Sequence, residues 1–217
     1  KEYPIEQTPI IALRETGYNS VYQIGERDKK ILRVGCRVSA DDVNFELDML
    51  DRLRFSGVPV VKWNKARQGD VLIQREKYIG VIFDYVNGYH PVLDKLNKPT
   101  HKECYMAGKT LGQIHNATES YTSKYIRSRT IFSELERVIK NRIRFDEYVG
   151  GKEFVEQVEK ALLFGQSYIG KIALVHNDYR VDNLFFKNEN EISAVIDFDW
   201  SCMGHIIKDV AHSVLVW

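Results

Sequence analysis

Short stretches rich in β-branched and aromatic residues alternate with polar or glycine-containing turns over the first third of the chain. Three of them lie between residues 8 and 36, with the sequences TPIIALRE, SVYQIG and ILRVG. Such alternation is typical of antiparallel strands. Two more apolar stretches, VLIQREKY and IGVIFDYV, end at residue 86. The pattern therefore predicts a five-stranded antiparallel sheet.

A helical pattern separates the third predicted strand from the fourth. Ser39 is a good N-cap residue, Asp42 follows three positions later, and apolar residues then recur at helical spacing through Leu53. The spacing predicts one helix in the first part of the chain, over residues 40–54.

The hydrophobic period becomes helical in the second half of the chain. Asn, Gly and Pro in NGYHP break regular structure after the fifth predicted strand. Three helical stretches follow from His101, interrupted by two short apolar strands, KIALV and EISAVI. We predict an α+β fold with a β-rich lobe of residues 1–84 and a larger, mainly helical lobe of residues 85–217. The chain stops inside the helical stretch HSVLVW, so we expect further C-terminal structure in the full protein.

Composition and charge exclude several classes of partner. A chain of 217 residues with 44% hydrophobic residues can bury a substantial core. The formal net charge of +1 creates no overall field toward nucleic acid or an anionic membrane. Three separated cysteines without a CxxC pair fit a reducing compartment, and no apolar run approaches the ~20 residues that span a bilayer. We expect a cytoplasmic protein without nucleic-acid or membrane partners.

Polar side chains follow both short apolar strands of the second half. HNDYRVDN, after KIALV, contains Asp178 and Asn183, and VIDFDW contains Asp197, fourteen residues after Asn183. The turn KNEN between them suits a hairpin. A carboxylate at the end of a buried strand needs a cation or hydrogen-bond donors, and converging Asp and Asn oxygens suit Mg²⁺, which also binds phosphate groups. The spacing predicts a metal and phosphate site.

Two features of the first half fit a phosphate site. The turn TGYNSVY offers the backbone N–H groups of Asn19 and Ser20 to phosphates. Glu46 shares the apolar face of the predicted helix, where a carboxylate needs a partner. Arg33 in ILRV is a candidate, because a guanidinium binds carboxylates and phosphates in bidentate fashion. The alternative is an exposed Arg33 and a Glu46 at the helix edge.

The motif HxDxxxxN, followed by a strand ending in Asp, resembles the aminoglycoside phosphotransferase and choline kinase group of small-molecule kinases. LRV on the third strand, the helix LGQIHNAT and the hinge VIFDYVNGYHP are also similar to that group, so the resemblance covers nearly the whole chain. It implies a bilobal, protein-kinase-like fold with ATP or GTP between the lobes. The implied reaction is phosphoryl transfer to a hydroxyl of a small molecule such as an aminoglycoside, a choline-like amino alcohol or a sugar.

The resemblance implies roles for residues of the second lobe. Asp178 would accept or orient the substrate hydroxyl, and Asn183 and Asp197 would hold Mg²⁺. Arg180 stands where protein kinases carry Lys, so it would touch the γ-phosphate. His176 and Asp209 would brace the loop.

The first lobe and the hinge would bind the nucleotide. By the same resemblance, Arg33 would hold the α- and β-phosphates with Glu46 behind it, and the backbone from Asp84 to Val86 would bind the base. Neither the choice between ATP and GTP nor the acceptor is readable from the sequence. Four acidic residues could attract a cationic acceptor or could form an exposed helix face: Glu134, Glu136, Asp146 and Glu147.

Arg180 keeps a protein substrate open as an alternative, and a kinase-like binding protein without turnover is another. Against a protein kinase, DFD replaces DFG, only eleven residues separate Asp197 from Asp209, and APE is absent. We therefore favour a small-molecule acceptor.

Other motifs are weaker. GKT at residues 108–110 resembles the end of a Walker A loop, but it lies in a predicted helix and Glu103 occupies the first Gly position. VIDFDW also resembles the DxD of haloacid-dehalogenase phosphatases and of nucleotide-sugar glycosyltransferases, although neither explains HNDYRVDN. His101 and Cys104 have HxxC spacing without a second ligand pair. Asp199 could be either a second metal-shell group or a structural acceptor.

Overall fold

The computed structural model describes residues 9–15, 19–36, 38–65, 71–91 and 98–217. The centre of the first predicted turn, residues 16–18, lies outside the described residues. Asn19 and Ser20, which follow that turn, are described.

An antiparallel sheet forms the N-terminal part of the described chain. Within the described residues it has six strands, β1 (Ile10–Glu15), β2 (Asn19–Ile24), β3 (Lys30–Gly35), β4 (Trp63–Asn64), β5 (Ile73–Arg75) and β6 (Tyr78–Asp84). Their order across the sheet is β1-β2-β3-β6-β4, and β5 pairs with β6.

The sheet differs from the predicted one in its later strands. The stretch predicted as a strand over residues 71–78 is divided at Glu76, which takes a positive φ of 53°, so that β5 folds back on β6 in a tight hairpin. β4 has only two residues, which is too short to produce a hydrophobic pattern. Within the part of the chain that the structure describes, the sheet therefore has one strand more than the sequence predicts.

Helix α1 (Ala40–Phe55) begins as the sequence predicts, because the Ser39 hydroxyl accepts a hydrogen bond from the Asp42 amide. Most of its apolar side chains belong to the main hydrophobic core, with Met49, Leu50 and Leu53 fully buried. Glu46 is buried on the same helix. The helix thus brings a carboxylate into an apolar environment next to the sheet.

Helices and two short strand pairs form the remainder of the described chain. The helices are α2 (His101–Thr118), α3 (Ile131–Lys140), α4 (Gly151–Ser167) and α5 (Ile207–Val216). One of the three helical stretches predicted after His101, IFSELERVIKNRIRFDEYV (residues 131–149), forms a shorter helix, because the amide of Asn141 bonds back to Arg137 and Val138 and a single 3₁₀ turn follows. The helical pattern of this stretch therefore continues for nine residues beyond the end of α3.

The short strands carry the loops that the sequence marks as polar. β7 (Ile172–Val175) pairs with β10 (Cys202–His205), which the sequence does not predict, and β8 (Leu184–Asn188) forms the predicted hairpin with β9 (Glu191–Val195). The loop after β7 and the turn after β9 consequently lie side by side.

Residues of the sheet side and of the second half share one hydrophobic core. Val60 bridges to Val195, and the amide of Val195 donates to the Pro59 carbonyl at 2.8 Å. β6 ends at Asp84, and a lobe boundary between residues 84 and 85 stays a prediction. Among the helices of the described residues, none is both long and apolar enough to cross a bilayer.

Leu50 tests the contribution of α1 to this core. Leu50→Ala should lower the free energy of unfolding by about 2–5 kcal/mol, because it removes a fully buried side chain and leaves a cavity. Urea unfolding measures the change. Phe55→Ala is the matched control on the same helix, since Phe55 is 87% exposed, and should change the stability by less than about 0.5 kcal/mol. Equal losses in the two variants would contradict this packing.

Candidate active site

The loop after β7 is held by one buried carboxylate. Asp209, on α5, accepts hydrogen bonds from the backbone amides of His176 at 2.6 Å and Asn177 at 3.0 Å, and His115 Nε2 lies 3.2 Å from its Oδ2. Burial by itself would raise the pKa of Asp209, but these hydrogen bonds lower it below its ordinary value. The carboxylate therefore stays ionised and fixes the start of the loop.

His176 connects this loop to the turn after β9. Its Nε2 lies 2.9 Å from the Ile196 carbonyl, and its Nδ1 accepts the amide of Asp178 at 3.3 Å. Burial lowers the pKa of His176, so the ring is neutral with its proton on Nε2. The residue braces both loops from inside the core.

Asp178 and Asn183 contact each other within the loop. The Asn183 amide group donates to the backbone carbonyl of Asp178 at 2.8 Å and to its Oδ2 at 3.1 Å. Asn177, directly before Asp178, has a φ of 67°, a conformation that Asn adopts more readily than most residues. Because the Asn183 nitrogen makes both contacts, its side-chain oxygen is not the atom that contacts Asp178.

The turn after β9 brings two carboxylates together. Asp197 takes a φ of 64°, and Asp199 follows it two residues later, close enough for the charge of Asp197 to act on its carboxyl group. Burial, and then the charge of Asp197, raise the pKa of Asp199 to about 7. Asn19 of β2 donates to Asp199 Oδ2 at 2.7 Å, which joins the sheet to this turn.

Arg33 and Glu46 form a bidentate ion pair. Their nitrogen-to-oxygen distances are 2.8 and 2.5 Å, and the two side chains are 12% and 3% exposed. Burial by itself lowers the pKa of Arg33, but Glu46 raises it above its ordinary value, so the guanidinium stays charged. The guanidinium also lies 5.1 Å from the ring centroid of Phe83. The pairing excludes the alternative of an exposed arginine with an unrelated glutamate.

A cavity of about 780 Å³ lies between the sheet and the two loops, a size typical of small-molecule and cofactor sites. It brings nine of the ten predicted site residues together in its lining: Asn19, Arg33, Glu46, Asp84, Val86, Asp178, Arg180, Asn183 and Asp197. Ser20 pairs with Val34 in the sheet and is outside this lining.

The hinge end of the cavity is fixed by Asp84. Its side chain accepts hydrogen bonds from Lys30 at 3.0 Å and Asn64 at 2.9 Å, and its amide donates to the Lys62 carbonyl at 2.8 Å. The Asp84 amide is therefore already engaged. Tyr85 and Val86 follow in the cavity lining.

Sequence reasoning missed two histidines near the site. His90 lines the cavity, with its ring 4.1 Å from that of Phe185 and its Nδ1 3.0 Å from the Leu184 carbonyl. His212, one turn after Asp209 on α5, lies 3.9 Å from Asp178 Oδ1. Neither has a spacing signal, because each reaches the site through packing between distant segments.

Charged residues around the cavity also pair with one another. Arg180 forms a bidentate pair with Asp182, at 2.9 Å for each contact.

Two of the acidic residues that could attract a cationic acceptor pair with nearby basic residues. Glu134 pairs with Arg129 and Arg137, whereas Glu136 lies 3.9 Å from Lys140. None of the four predicted acidic residues is in the lining of this cavity.

The donor set fits a hard divalent cation. Asp197 and Asp199 are two carboxylates on one turn, and burial together with the charge of Asp197 raises the pKa of Asp199, a cost that a bound cation would lower. The Asn183 oxygen can supply a third ligand of the type that Mg²⁺ prefers. No cluster of three His, Cys, Asp or Glu side chains suited to a metal occurs among the described residues.

The sheet with one helix, the helical second half and the cavity between them define a bilobal, protein-kinase-like fold. The profile of the phosphotransferase enzyme family (APH) matches residues 10–217. This chain belongs to that family, as the resemblance in the sequence predicts.

Homoserine kinases are among the curated relatives. The homoserine kinase of Caulobacter vibrioides strain NA1000 is 25% identical over 184 residues, which are 83% of this chain and 56% of the relative. The homoserine kinase of Rhizobium rhizogenes strain K84 is 26% identical, with 83% and 55% of the two chains covered. The chain thus spans about half the length of the curated relatives it matches.

Solved structures share the fold at low sequence identity. The amicoumacin kinase hAmiN, in complex with AMP-PNP and Ca²⁺, has a TM-score of 0.73 and 19% identity over 98% of this chain and 65% of that one. A spectinomycin phosphotransferase with ADP and spectinomycin has a TM-score of 0.63 and 15% identity, over 96% and 68% of the two chains. The similarity covers both the sheet and the helical part.

Asp209 gives a prediction with a definite pH dependence. Asp209→Asn should lower the free energy of unfolding by about 1–3 kcal/mol at neutral pH, because two buried amides lose a charged acceptor. Since the folded pKa of Asp209 is depressed, this contribution is complete above the ordinary carboxyl pKa and is lost as the pH falls through the folded value. The gap between wild type and variant should therefore shrink below about pH 4.

Urea unfolding across this pH range measures the effect. Asp28→Asn is the control, because the Asp28 side chain is 93% exposed, and should leave the stability unchanged. A gap that stays constant with pH would show that the charge of Asp209 is not what holds the loop.

Proposed function

We propose that this chain forms the nucleotide-binding and catalytic part of a kinase that phosphorylates a hydroxyl of a small molecule. The observation that carries the proposal is the convergence of Asp178, Asn183 and Asp197 with the Arg33–Glu46 pair on one cavity. Membership in the phosphotransferase family supports it. ATP or GTP would be the donor, and we expect the reaction in the cytoplasm.

The chain's own residues would position the reactants. Arg33, fixed by Glu46, would bind the α- and β-phosphates, and Asn19, but not Ser20, would approach the phosphates from the sheet. The base would lie against the backbone at Tyr85 and Val86, because the Asp84 amide already donates to Lys62. Such positioning accounts for much of the catalysis in phosphoryl transfer.

In the transfer step, the acceptor oxygen forms a bond to the γ-phosphorus while the bond from phosphorus to the β–γ bridging oxygen breaks. The hydroxyl proton passes to Asp178, which the Asn183 amide orients. Arg180 would neutralise charge on the γ-phosphate. Asn183 and Asp197 would hold a Mg²⁺ ion, which would supply neutralisation of phosphate charge. The products are the phosphorylated acceptor and a nucleoside diphosphate.

The segment that follows the turn carrying Asp197 and Asp199 favours a small acceptor over a protein. Residues 202–205 form β10, which pairs with β7, and α5 begins at Ile207. A protein kinase uses this part of the chain for an activation segment that binds the protein substrate. The homoserine kinase relatives make hydroxylated amino acids worth screening beside aminoglycosides, amino alcohols and sugars.

Nucleotide binding can be tested by thermal unfolding with Mg²⁺ and ATP or GTP. Ligand at about 100 times its dissociation constant stabilises by about 2.7 kcal/mol, or roughly 5–11 °C in a domain of this size. Asp197→Asn should abolish the Mg²⁺-dependent part of the shift while tolerating the left-handed backbone at that position. No shift with either nucleotide in the wild type would count against the proposed function.

Catalysis can be separated from binding at Asp178. Asp178→Asn should retain nucleotide affinity but reduce kcat by at least about 100-fold, because the acceptor proton loses its base. Asp28→Asn, on an exposed turn, serves as the matched control with wild-type turnover. Steady-state phosphoryl transfer to the best acceptor from the screen gives the comparison, and near-normal turnover in the Asp178 variant would remove it from the catalytic role.

A further inference from the structure

The connection between α2 and α3, residues 119–130, lies along α1. Tyr121 donates its hydroxyl to Asp48 at 3.1 Å in the middle of the helix. At the N-terminal end of α1, Ser128 donates its amide at 2.9 Å and its hydroxyl at 2.7 Å to the two carboxylate oxygens of Asp42. The connection therefore holds the helix that carries Glu46 against the second half of the chain.

Arg127 has contacts on two sides within this connection. Its Nη1 donates to the Asp42 carbonyl at 3.0 Å and lies 3.6 Å from the Asp42 carboxylate. Its Nη2 donates to the backbone carbonyl of Asp199. One side chain thus links the first turn of α1 to the turn that carries Asp197 and Asp199.

The position of Arg127 is unusual for a surface connection. Its side chain is only 6% exposed and its guanidinium lies 5.8 Å from the Phe45 ring centroid. It also lines a small cavity behind the phosphate site, together with Arg33, Glu46 and Asp199. Burying a guanidinium is costly unless its partners compensate. The compensating partners here are Asp42 on α1 and the Asp199 carbonyl on the turn after β9.

We propose that Arg127 is a positioning residue that couples α1 to the turn after β9, which carries Asp197 and Asp199. Through Asp42 it fixes the helix whose Glu46 orients Arg33, and through the Asp199 carbonyl it fixes the turn whose carboxylates would hold Mg²⁺. The proposed phosphate-binding and metal-binding groups are thereby held at a fixed distance and orientation relative to each other. This inference rests on the proposed function.

Loss of the coupling should lower the affinity for ATP with Mg²⁺ more than the affinity for AMP. In Arg127→Met, affinity for ATP with Mg²⁺ should fall by about tenfold or more, as is typical when a group supporting metal ligands is removed. Affinity for AMP should change by less than about threefold, because AMP lacks the β- and γ-phosphates. Calorimetric titrations at a temperature well below the unfolding midpoint measure both affinities.

Two variants make the comparison specific. Arg127→Lys keeps a charge that can reach Asp42 or the Asp199 carbonyl but not both, so the ATP affinity should fall to an intermediate value. Arg137→Met removes an arginine that is 66% exposed on α3 and should match the wild type. Equal losses for ATP and AMP in Arg127→Met, or no loss for either, would overturn the positioning role.

Hydrogen exchange without nucleotide or metal gives a second readout that needs no activity. In Arg127→Met, which removes both contacts, amides in the first turns of α1 and in residues 198–201 should exchange faster together, while those of β7 keep wild-type protection. Faster exchange in only one of the two elements would overturn the coupling. If the wild type binds neither ATP nor GTP, the proposed function is refuted. The exchange experiment then still tests whether Arg127 couples the two elements, because it uses no nucleotide.

Discussion

The loop that presents Asp178 depends on one buried carboxylate. Asp209 lies in the core and accepts the two backbone amides with which that loop begins. A buried carboxylate is unfavourable without such donors, and the amides would be equally unfavourable without the carboxylate. The mutual requirement fixes α5 and the loop to each other. His176 then extends the same network to the turn after β9.

A second buried ionic system organises the opposite wall of the cavity. The Arg33–Glu46 pair connects the sheet to α1, and α1 is in turn joined to the second half through Asp42 and Arg127. The residues that line the cavity come from strands, helices and loops far apart in the chain. Their geometry is therefore set by a chain of buried polar contacts rather than by local sequence, and a change at one end can alter the position of groups at the other.

Much of the fold was predictable because its signals are local. The N-cap at Ser39 marks the start of α1, and the hairpin around KNEN follows from alternation and turn residues. The exceptions have physical causes. β4 is only two residues long and β10 has a sequence, CMGH, without a strand pattern. Both strands exist because a neighbouring strand offers hydrogen-bond partners, which no local pattern encodes.

The sequence by itself determined which polar residues meet at the cavity from the second half of the chain, since the spacing of HNDYRVDN and VIDFDW places Asp178, Asn183 and Asp197 at adjoining strand ends. Only the tertiary structure decided which other groups join them. Asn19 reaches Asp199 across 180 residues of sequence, and His212 reaches the neighbourhood of Asp178 from α5. Hydrophobic spacing specifies which face of an element is buried, but the partner of a buried polar group is fixed only when separate elements pack together.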